Sequence, residues 1–428
     1  MNRIWHKLFL EERPSIGLSL FRIVVALTVG FYVIPTLIHP EDTYFSTAFK
    51  TYNYDFFTPG FVAWVQESPD SLVALVILTF LISWFFFFLG FFSQISCIVM
   101  TACCYYFYAL NHFALGHALT WDILLVTLFL MCVTPYHGDY FSIDCVRRGV
   151  ADAYKRRRPF FLQRLLQIQI GFTYFYTALY KIFPAGNWLS GNPMYYLMNY
   201  PPQGVTKNFM LKELMAAHPG FCYGLGIAII VLELSMVFLL FNPRTRISGI
   251  YFGVLFHILL ILTLDVPAIF FFLFPAQLLL FINPDRVLDW IEKKRVFYRH
   301  APRARIIYDG QCQFCQQSVH QLQIMDLFDK LFFVDYHRYE NLKVIHPQLT
   351  KEIAHSQLHL IEADGTLYGG FDVFRRICFM MPMLYPLIPI FYFPGAGVIG
   401  PHVYRWTAKN RYLFHRHKQC RDNTCFVG

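Results

Sequence analysis

Apolar residues in this chain run in blocks long enough to cross a bilayer, and the blocks stop near Asn283. The pattern predicts eight spans, at about 17–38, 72–90, 94–111, 120–136, 162–182, 221–241, 247–264 and 266–283. The fourth is short, as a tilted or partly re-entrant segment would be. The first is too long for a secretory signal and lacks a small-residue cleavage site, so it reads as a span. Beyond residue 303 the pattern changes. Arg305-Ile306-Ile307-Tyr308 and Leu331-Phe332-Phe333-Val334-Asp335 read as strands, with a helix through about Met325 between them. A helix around 348–355 follows. Leu358–Glu362 and Thr366–Gly369 then pair across Ala363-Asp364-Gly365, where Asp-Gly is a strong hairpin signal, and another helix opens near Asp372. The expected architecture is an α-helical polytopic membrane bundle of about eight transmembrane helices over 1–284, a basic linker over 285–302, and a small α/β domain over 303–428.

Composition agrees with a membrane class: 56% of residues are hydrophobic, 19% aromatic and only 15% charged. The basic residues set the expected orientation. Arg147, Arg148, Lys155, Arg156, Arg157 and Arg158 crowd one loop, Arg244 and Arg246 another, and Lys293, Lys294 and Arg295 follow the last span. The first loop has only Lys50 against Glu41, Asp42, Asp55, Glu67 and Asp70. The positive-inside rule therefore places both termini and the basic loops in the cytoplasm. The net charge of +9 lies largely beside spans, where anionic headgroups account for it and no nucleic-acid partner is needed.

The cysteines fall into two groups. Cys97, Cys103, Cys104, Cys132 and Cys222 lie in or beside apolar spans, Cys145 in the basic loop and Cys378 in an apolar stretch, and all read as small hydrophobes. Cys312, Cys315, Cys420 and Cys425 lie in polar segments on the side expected to be reducing, where paired cysteines are more often catalytic or metal-binding than structural. Cys312-Gln313-Phe314-Cys315 stands where a strand turns into a helix. Two thiols at that spacing are within disulfide reach, and the first faces the positive end of the helix dipole, which favours its thiolate. The rival chemistry is zinc, held by Cys312 and Cys315 with His415, His417, Cys420 or Cys425. Cys420 and Cys425 can also be read as a second thiol pair that exchanges with the first.

The order β-α-β-α-β-β-α matches a thioredoxin-like fold with the pair at its first strand-to-helix turn. Tyr308-Asp309-Gly310-x-Cys312-x-x-Cys315, the Asp364-Gly365 hairpin and the late Tyr404-Arg405 to Tyr412 stretch resemble the DCC-type thiol-disulfide oxidoreductase family. That resemblance implies Cys312 as the attacking thiol and Cys315 as the resolving one, with Asp309 holding the turn or accepting a proton. Thioredoxins carry a cis-proline facing the pair; here that region reads His355-Ser356-Gln357. Residues 377–400 are strongly apolar but broken by Pro382, Pro386, Pro389 and Pro394, so they read as a packed extension or as a surface resting on the bilayer or the bundle.

Charged residues inside spans are functional suspects by default. Gln167, Tyr174 and Lys181 recur every seven residues and so share one helix face, which makes Lys181 either part of a polar interior or a lysine snorkelling to the headgroups. Asp122, Glu233 and His257, with Asp265 just beyond it, are the other polar candidates. Tyr174-Phe175-x-x-Ala178-x-x-Lys181, then Trp188, Gly191 and Met194, together with Thr134-Pro135-Tyr136-His137-Gly138-Asp139 through Asp144, resemble the vitamin K-dependent γ-carboxylase family and its bacterial HTTM relatives. That resemblance implies Lys181 as a base that deprotonates a quinol. Gln167, Tyr174, Trp188, His257 and Asp122 are the candidates for lining a substrate pocket, and the expected location is a bacterial inner membrane.

The function these features predict is a two-module membrane redox enzyme. The bundle would act on a quinol-like or other membrane substrate, with no covalently bound cofactor, and the C-terminal domain would exchange disulfides with a thiol-containing protein or peptide. The competing readings are a carboxylase-like modifying enzyme using Lys181, and a non-enzymatic transporter or scaffold with a zinc-stabilised tail built on Cys312, Cys315, His417 and Cys420.

Overall fold

The computed structural model describes residues 2–38, 59–111, 118–183, 187–190, 192–199, 212–264 and 268–410. The chain divides into two compact units, Met1–Asp144 with Tyr154–Val287, and Cys145–Ala153 with Leu288–Gly428.

The first unit is helical: α1 (Ile16–Val33), α2 (Asp70–Leu89), α3 (Ser93–Asn111), α4 (Ala118–Cys132), α5 (Phe161–Ile182), α6 (Pro219–Phe241), α7 (Arg246–Thr263) and α8 (Ala268–Leu279). Each falls on a predicted apolar block. Among the described residues, however, five helices are long and apolar enough to cross a membrane on their own, or up to seven if each bent pair is one span. The expected count of eight is not confirmed, and three of the predicted spans fall short of it for separate reasons. The apolar part of α4, Trp121–Cys132, is too short to cross unaided. Helix α5 is long enough, but Gln163, Arg164, Gln167, Gln169 and Lys181 dilute its apolar character. Helix α8 stops at Leu279, and the chain bends by 87° into α9 (Pro284–His300). Pro284 opens α9 at a position where its missing N–H is harmless. The stretch expected to be a linker is therefore this 17-residue helix.

Burial separates the helices by role. In α1, Val25, Ala26, Val29 and Val33 are fully buried. In α2, Leu75, Leu78, Ile82 and Phe85 are exposed, as expected of a helix that is apolar on all faces and meets lipid. One end of the bundle is tied by charge. Strand β1 (Glu12–Pro14) pairs antiparallel with β2 (Arg157–Pro159). Asp139, almost fully buried, accepts from Arg158 at 2.8 and 2.9 Å, from Arg156 at 3.3 Å and from the Ser15 hydroxyl at 2.9 Å. Asp144 caps α3 by accepting from the Ser93 amide at 2.7 Å and its hydroxyl at 2.8 Å. The Thr134–Asp144 motif is thus accounted for by structural fastening.

The second unit holds a four-stranded sheet in the order β4-β3-β5-β6, built from β3 (Ala304–Tyr308), β4 (Leu331–Asp335), β5 (His359–Ile361) and β6 (Leu367–Gly369). Strand β3 is parallel to β4 and antiparallel to β5, and β5 is antiparallel to β6. Adjacent residues of β3 serve opposite faces, as the pleat requires. Ile306 packs with Leu322 of α10 (Gln313–Met325) and with Val373 and Ile377 of α12 (Phe371–Met380). Ile307 packs with Tyr336, Leu349 and Ala354, the last from α11 (Lys351–Ser356). The proline-broken segment becomes two helices, α13 (Ile388–Tyr392) and α14 (Ala396–Lys409). The arm Pro382–Tyr392 meets α14 at 112°. Gly395, with φ at +102°, makes the corner in a region closed to most side chains.

Candidate functional site

The C-terminal site grows out of strand register. Tyr308 of β3 lies beside Asp335 of β4, so the residues that leave the two parallel strands emerge together. Asp335 accepts from the amides of Gly310 at 3.1 Å and His337 at 3.0 Å, tying the two exits. A Cβ on Gly310 would come within 2.2 Å of that carboxylate, so only glycine fits. Asp309 is buried and accepts from the Gln311 amide at 3.0 Å. His337 Nε2 lies 2.9 Å from one Asp309 oxygen, and His355 Nδ1 lies 3.6 Å from the other. The Tyr336 hydroxyl contacts His355 Nδ1 at 2.8 Å.

Cys312 is the N-cap of α10, and its Sγ accepts from the Cys315 amide at 3.3 Å. The Cys315 Sγ is 2.8 Å from the Cys312 Sγ, the two being thiols and not a disulfide. The Cys312 sulfur thus stands at a helix N-terminus, where the backbone N–H of Cys315 points at it. Only Cys315 reaches the neighbouring cavity. That cavity, about 590 Å³, is walled by Phe314 and Leu322 of α10, Phe374 of α12, Phe391 of α13, and Ile399 and Val403 of α14, with Asp309 and Gln357 among its polar lining. Cys312 is nearly fully buried. The Tyr404 hydroxyl accepts from the Leu358 amide at 2.9 Å and fastens α14 to the sheet entry. Cys378 belongs to the core, where burial pushes its thiol up to about 11 and leaves it inert.

The structure thus brings Cys312, Cys315 and Asp309 together and adds His337, His355 and Tyr336, which sequence reasoning did not select. The available signal was the pair of strands ending in register, one before Asp309 and the other before Tyr336-His337. His355 and Gln357 occupy the region where thioredoxins place proline. His415, His417, Cys420 and Cys425 lie outside the described residues. Among the described residues no group of three or more His, Cys, Asp or Glu side chains is arranged to hold a metal ion.

A second polar cluster lies inside the bundle. Lys181 Nζ donates to both oxygens of Glu233, at 2.6 and 2.7 Å, and sits 5.4 Å from the centre of the Trp188 ring. Tyr174 and His257 are joined by a hydrogen bond of 2.8 Å between the hydroxyl and Nε2. Tyr174, Thr177, Glu233 and His257 line a small cavity of about 70 Å³. Of the expected pocket residues, Tyr174 and His257 share the cavity with Glu233, the partner of Lys181, and Trp188 lies against Lys181 itself. Gln167 and Asp122 do not line this cavity. Gln167 is committed to the Leu280 carbonyl at 2.8 Å and to Arg164 at 2.7 Å, while Asp122 accepts from the Tyr108 hydroxyl at 2.6 Å. Asp265 lies outside the described residues.

Residues 10–286 match the HTTM domain family. The chain belongs to the HTTM family. Residues 306–417 match the DCC1-like thiol-disulfide oxidoreductase family, so this HTTM protein carries a DCC1-like domain at its C-terminal end. No curated protein and no solved structure matches the chain. An HTTM domain with long apolar helices and a thiol-disulfide oxidoreductase domain together make it a membrane redox protein.

Proposed function

We propose that this HTTM protein is a membrane-bound thiol-disulfide oxidoreductase in which Cys315 meets the substrate and Cys312 resolves the adduct. The observation that carries the reading is the pair of sulfurs 2.8 Å apart at the start of α10, with Cys315 on the cavity wall and Cys312 buried behind it. This order is the reverse of the one the DCC resemblance implies, and exposure is the reason: a substrate sulfur can approach only the thiol that faces open space. The Cys315 thiolate attacks a substrate disulfide, forming a mixed disulfide and releasing one substrate thiol. The Cys312 thiolate then attacks the Cys315 sulfur and releases the second thiol. Asp309, which lines the same cavity as Cys315 and is hydrogen-bonded to His337, can accept the Cys315 proton. The domain faces the cytoplasm by the positive-inside rule.

Trapping tests the order. With hydroxyethyl disulfide as substrate, Cys312→Ser should accumulate a mixed disulfide on Cys315, seen by mass analysis of the intact chain, because the resolving thiol is gone. Accumulation only on Cys312 in Cys315→Ser would reverse the roles, and no adduct on either variant would remove thiol exchange altogether.

The Lys181–Glu233 pair supports a second activity in the bundle, in which the proton on the lysine moves to the carboxylate and leaves a neutral amine as base. This keeps a carboxylase-like role for Lys181 open. Lys181→Arg separates base from anchor: guanidinium does not give up its proton in proteins, so a base is lost and a snorkelling cation is retained.

A further inference from the structure

We propose that the cavity beside Cys315 binds a quinone and that the Cys312/Cys315 dithiol reduces it to the hydroquinone. The inference rests on the redox reading of the pair given above and adds a second substrate for it.

Size sets the first constraint. The cavity lined by Tyr174, Glu233 and His257, about 70 Å³, lies well below the volumes typical of small-molecule sites. The cavity beside Cys315, about 590 Å³, falls within the range of roughly 300–1,000 Å³ typical of small-molecule sites. Wall chemistry sets the second. A peptide entering the cavity would bring N–H and C=O groups that need partners, and Phe371, Phe374, Phe391, Ile399 and Val403 offer none. A flat apolar ring needs donors only at its two carbonyl oxygens, and the Gln321 and Gln357 amides, which line the cavity with Cys315, carry N–H groups of that kind.

The route of entry points to a lipid-dissolved ligand. Ile399 and Val403, both 57% exposed, belong at once to the cavity wall and to the outer face of α14. That face continues through Val398 at 68% and Trp406 at 62%, with Ile390 of α13 at 64%. Such a contiguous apolar surface suits a bilayer and not water. A ligand partitioned into lipid reaches the cavity along these side chains.

The chemistry balances within the two reactants. The Cys315 sulfur bonds to the quinone ring, and the Cys312 thiolate then attacks that sulfur. The S–S bond forms as the C–S bond breaks, and the two electrons of the broken bond remain on the ring. The two protons lost by the thiols end on the two quinone oxygens, giving one hydroquinone and one protein disulfide. A dithiol reductant returns the pair to its starting state by exchange.

The test uses the full chain in detergent, fully reduced, freed of reductant and mixed without oxygen with ubiquinone-1, whose substituted ring cannot retain a simple thioether. Wild type should form hydroquinone in step with loss of alkylatable Cys312 and Cys315, and Cys315→Ser should form none. Val403→Trp and, independently, Ile399→Trp place a larger ring at solvent-accessible positions of the wall and should fold. Each should slow hydroquinone formation about tenfold more than it slows exchange with hydroxyethyl disulfide, because the polar substrate needs less of the cavity. Brisk exchange with hydroxyethyl disulfide but no hydroquinone in wild type overturns the quinone inference and leaves thiol exchange standing. Equal slowing of both reactions in the tryptophan variants, or no slowing of either, also overturns it. Failure of both reactions in wild type removes both proposals.

Discussion

Lys181 and Glu233 form a two-pronged ion pair inside the bundle, with the lysine side chain 15% exposed and the glutamate 6%. Helix α5 supplies the cation and α6 the anion, so the pair joins two elements that sequence alone does not place side by side. Each charge is tolerable there only because the other is present.

Removing one partner should therefore cost more than removing both. Lys181→Met or Glu233→Gln alone should destabilise the bundle by on the order of 3–5 kcal/mol, since a buried charge is left uncompensated. The double variant should recover a large part of that loss. Thermal unfolding of the four proteins in one detergent checks this, and strictly additive shifts would mean that the two side chains do not depend on each other.

Gly310→Ala should injure the C-terminal site without touching a thiol. The added methyl group would meet the Asp335 carboxylate at 2.2 Å, and the carboxylate is itself held by the Gly310 and His337 amides. Relief requires one strand exit to move, at about 1–3 kcal/mol. Hydrogen exchange around residues 305–316 should rise in the variant, and unchanged protection would show that the turn has slack.

His359 should make the C-terminal unit acid-sensitive. It is buried in β5, and burial holds its imidazole below the usual range. With the folded-state value lowered, the unfolded chain binds the extra proton more readily once pH falls below about 6.5. Stability from this group is fully present above that pH and is lost as pH falls through the folded-state value. His359→Gln should flatten the pH dependence of amide protection in β5 between pH 7.5 and 5, and an identical slope in both proteins would assign the effect elsewhere.

The strands of the C-terminal unit were legible because alternation and the Asp364-Gly365 turn are local signals, and each observed strand falls within a residue of its predicted place. The stripe of Gln167, Tyr174 and Lys181 correctly marked the inward face of α5, and Gln167 and Tyr174 are almost fully buried. It could not give depth along that face, so Gln167 was expected in a pocket but is bonded to the Leu280 carbonyl. Glu233 stood out as a charge in a span, yet its partner depended on helix packing. Asp309 was visible in its motif, whereas His337 and His355 arrive from other elements through sheet register. The prolines between 382 and 394 hid the helical character of the segment that walls the cavity, because they break the periodicity by which a helix is recognised.

The measurement closest to the central claim is the redox titration of Cys312 and Cys315 in the intact chain. The purified protein is equilibrated in a series of poised thiol-disulfide buffers, alkylated and analysed by mass. Both thiols should disappear together in one two-electron transition and return on reduction, as sulfurs 2.8 Å apart at a helix start require. Two thiols that remain alkylatable across the whole series, with zinc copurifying at one ion per chain, would contradict it.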